Sequence, residues 1–110
     1  MANTFKLKTK ANVGVTTVGI YTAPAATTTV VIGITLSNTS GSGVNVGVAV
    51  SRTSTTQDDV NLLKNAPIPQ GSSLEFMAGN KIVLETTDTL TVDSDTNSSV
   101  DAALTIMEIT

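Results

Sequence analysis

Two carboxylate pairs, Asp58 with Asp59 and Asp93 with Asp95, are the groups in this sequence best placed for acid–base chemistry or for holding a cation. Acid–base work needs one carboxylate whose surroundings shift it away from its neighbour's behaviour. Both pairs sit among Ser, Thr, Asn and Gln, in RTSTTQDD and DSDTNSS, which reads as solvated turns. Asp93-Ser94-Asp95-Thr96-Asn97 also matches the opening of a calcium loop. The match stops where it becomes specific: Ser98 stands where the turn glycine belongs and Leu104 where the bidentate Glu belongs. The expectation is an acidic turn with no metal.

Other chemistry is excluded more firmly. The 110 residues contain no Cys and no His. A disulfide or thiolate metal site therefore cannot form, and the commonest general base is missing. Lys64 and Lys81 could in principle activate a serine, but nothing in their spacing places either beside one. Gly14, Gly19, Gly33 and Gly47 lie inside alternating segments and form no phosphate-binding loop. No catalytic, cofactor or metal site is expected, and no enzyme activity.

Lys6, Lys8 and Lys10 form a different kind of constellation. They alternate with Phe5 and Leu7, giving an extended segment with a cationic side and an apolar side. Such a segment is either an edge strand, where lysines discourage stray pairing, or an arm laid on a neighbour. Residues 1–10 are read as that arm or edge strand, and 11–110 as one domain.

Composition fixes what must hold these residues. Hydrophobic residues make up 40% but aromatics only 3%, so the core is aliphatic. Charged residues are 14%, below the usual quarter of a soluble domain. Little charge is left to keep a bare monomer soluble, which points to a covered surface and a homo-oligomer. The net charge of −3 argues against non-specific nucleic-acid binding. No apolar run is long enough for a membrane helix, and the start MANTFKLKTK lacks the apolar stretch of a signal peptide. The expectation is a soluble protein assembled in a cytoplasm.

The strongest pattern is Thr28 to Val50. Val30, Ile32, Ile34 and Leu36 alternate before a Ser/Asn/Thr/Gly turn, and Val44, Val46, Val48 and Val50 alternate after it. This predicts a β-hairpin with Thr29, Val31, Gly33 and Thr35 on its outer side. Residues 13–22 predict a strand with a bulge at Thr16–Thr17. Pro67 and Pro69 confine the stretch around Ile68 to an edge or crossing segment. Leu74, Phe76 and Met77 suggest a strand ended by Gly79-Asn80, and Ile82 with Leu84 and Leu90 with Val92 flank a turn at 86–88. In the last strand Val100, Ala102, Leu104 and Ile106 face one way, and Met107 and Ile109 the other. Eight to nine short strands with almost no helix make an all-β antiparallel sandwich, jelly-roll-like.

The stretches YTAPAATTTVVIGITLSNTSGSGVNVGVAV and APIPQGSSLEF, with the closing LTIMEIT, together resemble small virion structural proteins of tailed bacteriophages, particularly of cyanophage type. The resemblance covers nearly the whole chain and rests on turns and core strands. It implies a β-sandwich built into the virion, with the major capsid protein or other virion proteins as partners. Capsid decoration or cement comes first, and a tail, neck or fibre component second. A carbohydrate- or receptor-binding module is the other alternative, though only Phe5, Tyr21 and Phe76 could stack on a sugar. The expected interface comprises Phe5, Lys6, Lys8, Lys10, Thr29, Val31, Gly33, Met107 and Ile109.

Overall fold

Alternation of Val, Ile, Leu and Thr with smaller or polar residues produces strands throughout, because β-branched side chains fit a pleated surface with one buried face. The computed structural model describes residues 2–53, 56–76 and 81–110. In chain order the strands are β1 (Asn3–Val13), β2 (Val18–Thr22), β3 (Thr28–Asn38), β4 (Val44–Ser51) and β5 (Val60–Ile68). They continue with β6 (Ser73–Phe76), β7 (Ile82–Leu84), β8 (Thr89–Ser94) and β9 (Val100–Ile109). No helix occurs among the described residues. Met77, the Gly79–Asn80 turn and the side chain of Phe76, all invoked in the sequence reading, lie outside the described residues.

The strands form two antiparallel sheets. Sheet A runs β1-β9-β3-β6, with β7 also on β3; sheet B runs β2-β8-β4-β5. Between them lies an aliphatic core that includes Ile34, Leu36, Val46, Val48, Leu90, Val92, Leu104 and Ile106. Each such side chain contributes about 1.5–3 kcal/mol on burial, far above a surface ion pair.

The expected hairpin at Thr28–Val50 does not form. β3 lies in sheet A and β4 in sheet B, so the chain arches from one sheet to the other. Asn38 holds the arch: its Nδ2 donates to the carbonyls of Ser42 (2.8 Å) and Ile68 (2.9 Å), and its Oδ1 accepts from the Ser40 N–H (2.9 Å). Period-two alternation tells which face is buried, and both a hairpin and an arch satisfy it.

β3 also differs from the expected pattern in which of its sides faces inward. Thr29 and Val31 are fully buried, and so are Ile34 and Leu36, two pairs of opposite parity. The register against β9 shifts between Val31 and Gly33, so a bulge at Ile32 reverses the alternation. Val30 and Ile32 point outward instead.

The segment 13–22 is likewise not one strand. Val13 ends β1, residues 14–17 cross between sheets, and Val15 is exposed. The crossing passes close to the 95–98 turn: a Cβ on Gly14 would lie 3.2 Å from the Ser98 nitrogen. The register shift falls between Gly19 and Tyr21, which turns Tyr21 into the core.

Candidate functional site

β1 is the edge strand of sheet A and pairs with β9 from Asn3↔Ile109 to Val13↔Val100. Directly opposed residues of an antiparallel pair point to the same side. Lys6, Lys8 and Lys10 oppose Ile106, Leu104 and Ala102, which are core residues, so the lysines lie on the inward side. Phe5 opposes Met107 and Leu7 opposes Thr105, so the apolar residues lie outward. The usual arrangement is inverted. It persists because β1 overhangs the sandwich: apart from Val13, nearly every residue of the strand is exposed.

Two side chains of β9 hold this strand: Asp101 accepts from the Asn12 N–H (3.0 Å) near the buried end, and Glu108 pins the overhang. Glu108 continues the inward row of β9, and its Oε1 accepts from Lys6 Nζ at 2.8 Å. Its Oε2 accepts the Tyr21 hydroxyl at 2.6 Å. The Tyr21 oxygen also lies 2.8 Å from Thr29 Oγ1. Since tyrosine has one hydroxyl proton, committed to Glu108, Thr29 is the donor in that contact. Lys6, together with the Tyr21 hydroxyl, holds the Glu108 carboxyl below the usual glutamate range. Burial, together with the Glu108 bond, pushes the Tyr21 phenol up to about 12. The network joins β1 and β9 of sheet A to β2 of sheet B.

The outer face of sheet A continues the apolar side of β1. Phe5 is 68% exposed, Leu7 65% and Val83 of β7 55%. Val30, Ile32, Met107 and Ile109 are half-buried on the same face. Gly33 lies there too, and a Cβ at that position would meet nothing within 4 Å. Of the nine expected interface residues, Phe5, Gly33, Met107 and Ile109 share this outer face. The three lysines lie along the rim on the inner side. Thr29 and Val31 belong to the core. Sequence reading missed the Tyr21–Glu108–Lys6 network. Its signal was the parity of Glu108, two residues beyond Ile106 on an otherwise apolar row.

Three of the four carboxylates in the two pairs are spent on structure. Asp59 caps the Arg52 N–H at 2.6 Å. Asp93 accepts from the Thr17 hydroxyl (3.3 Å), and Asp95 from the Asn45 N–H (3.1 Å). Lys64 and Lys81 are exposed. Among the described residues no cluster of acids could hold a metal ion.

No family model and no curated protein match this sequence. Among solved structures the fold is similar to a chain of Bacillus endospore appendages, described as a novel family of disulfide-linked pili. The alignment covers 99% of this chain and 87% of that one, at 14% identity and a TM-score of 0.58. What is shared is the fold, a small all-β sandwich. Disulfide linkage does not carry over, because these 110 residues contain no cysteine. The phage setting rests on the sequence motifs alone.

Proposed function

We propose that this protein is a structural subunit of a tailed-phage virion that works by association and not by catalysis. The observation that carries the reading is the outer face of sheet A, where Phe5, Leu7 and Val83 stand exposed beside Met107 and Ile109. Contiguous exposed apolar side chains on a small protein mark a surface made to be covered. Burying them against copies of the chain, the major capsid protein or another virion protein would supply the association energy without covalent links. Capsid decoration is the first setting, in which the face seals against the shell and stabilises it.

A tail, neck or fibre position is the second reading. It is supported by the long open edge of β1 and by the use of a similar sandwich in a pilus. A sugar-binding role has less support, since Tyr21 is buried and Phe5 is the one exposed aromatic among the described side chains. Protein composition and cryo-electron microscopy of purified phage particles from cells expressing this protein test the proposal. Density on the head shell is expected. Density confined to the tail moves the assignment to the second reading, and particles lacking the protein sink both.

A further inference from the structure

We infer that the free edge of β1 is a docking site for an extended segment of another protein, one that alternates acidic with apolar residues. The inference rests on the assembly reading above and names the chemistry of the partner. An edge strand presents unpaired N–H and C=O groups, and among the described residues β9 is the one strand paired with β1. The strand is 11 residues long, contains no proline and keeps an unbroken register over residues 3–10, before the shift at Asn12. An added strand would place alternate side chains on the two sides of the sheet.

On the inner side those side chains would meet Lys6, Lys8 and Lys10, which recur about every 6.8 Å along the strand. Lys6 has Glu108 as partner, whereas Lys8 and Lys10 form no ion pair among the described residues. An apolar strand added here would have to desolvate these ammonium groups, a recognised protection against indiscriminate pairing. A strand bearing carboxylates at alternate positions meets no such barrier. On the outer side the other parity would lie against Phe5 and Leu7, where apolar residues gain most. The edge thus rejects generic strands and selects one pattern, specificity by mismatch as much as by match.

The same pattern argues against a second copy as the occupant. In an antiparallel pair of β1 strands about a two-fold axis, residues of equal parity oppose each other, so lysines face lysines. The chain's other edge strands, β2, β5, β6 and β7, carry a single acid between them, Glu75. A nucleic-acid strand would satisfy the lysines but leave Phe5 and Leu7 uncovered, and the chain is acidic overall.

The test uses the full chain and a capped octapeptide alternating valine and glutamate, titrated by isothermal calorimetry at low salt. Controls are the valine–lysine octapeptide, a peptide of the same composition with all glutamates in one block, and a short single-stranded DNA. Binding of the alternating acidic peptide is expected, with new amide-exchange protection in residues 3–10. Doubling Lys8→Glu with Lys10→Glu should weaken it about tenfold, since two attractive pairs become repulsive. A melting curve verifies that the variant is folded. Equal binding of the lysine peptide, the block peptide or the DNA overturns the inference, as does protection that appears elsewhere or no binding at millimolar peptide. Particle composition is read separately: a protein found in virions that ignores the peptide refutes the edge inference alone. One that binds the peptide but is absent from virions refutes the virion reading alone.

Discussion

Two edges of this sandwich are finished in opposite ways. β5 closes sheet B with a strand that is blunted along its length: its register against β4 shifts twice, Asn65 sits at a φ of 53°, and Pro67 removes a donor. It is also nailed down, because Ile68 is buried in the core and its carbonyl accepts from Asn38. β1 closes sheet A with a strand that is regular over residues 3–10, where it overhangs; its register shift and the φ of 58° at Asn12 come beside the buried Val13. The overhang is held by the β9 ladder and the Lys6–Glu108 pair, and the Asn12 N–H donates to Asp101 at the bulge. An edge that is bulged through its middle and carries a proline is built to stay solitary. One that is regular, exposed and lined with charge on one side is built to be selective about company.

Substitutions can break this contrast, and the largest effect belongs to the buried edge. Ile68→Ala should cost about 2–5 kcal/mol in chemical denaturation, as for other buried large-to-small changes. Leu7→Ala should change stability by no more than about 0.5 kcal/mol. Comparable costs at the two sites would show that the edges are held alike. Tyr21→Phe comes next: it strips one hydrogen bond from Glu108 and one from Thr29, both buried, and should cost about 1–3 kcal/mol. Amide exchange should accelerate in β1 more than in β5; uniform acceleration would mean that the pin serves the whole core.

Acid should act on the same pin, with a smaller effect. The folded-state pKa of Glu108 is depressed, so its contribution is complete above the unfolded glutamate value of about 4.3 and is lost as pH falls through the folded value. Exchange protection in β1 should therefore fade below about pH 4 in the native protein. In Glu108→Gln that pH dependence should vanish. At the other extreme the Tyr21 pKa is raised, so its contribution is complete below pH 10 and declines as pH climbs toward about 12. An alkaline slope that survives in Tyr21→Phe would contradict this assignment. The smallest stability effect is expected for Phe5→Ser combined with Leu7→Ser, within about 0.5 kcal/mol. The same variant should reduce self-association by light scattering, which would separate the role of the face from the stability of the fold.

The sequence carried the architecture further than the connections. Strict alternation in 44–50 and 100–106 identified buried rows residue by residue, and both rows are buried as read. Pairing was not legible, because alternation in 28–36 and 44–50 specifies a face and leaves the partner strand open. The inward row of β3 was hidden by its composition. Val30, Val31 and Ile32 are all apolar, so no polar residue marked where the bulge reverses the parity. At β1 the two sides were read correctly as cationic and apolar. Which of them faces the core depends on the register with β9, a pairing about a hundred positions distant in sequence.

That distance governs how the protein comes into being. Among the described residues, β4 with β5 is the one strand pair formed by consecutive strands. Every other ladder closes a longer loop, which slows folding because chain entropy is lost before contacts compensate it. Of the nine strands β1 leaves the ribosome before the others, and its ladder partner β9 after them. Until β9 has been made, β1 must wait as an unpaired, β-prone segment, the kind that aggregates with its neighbours on a polysome. Lys6, Lys8 and Lys10 then act as gatekeepers, repelling the identical segments of adjacent nascent chains until β9 arrives.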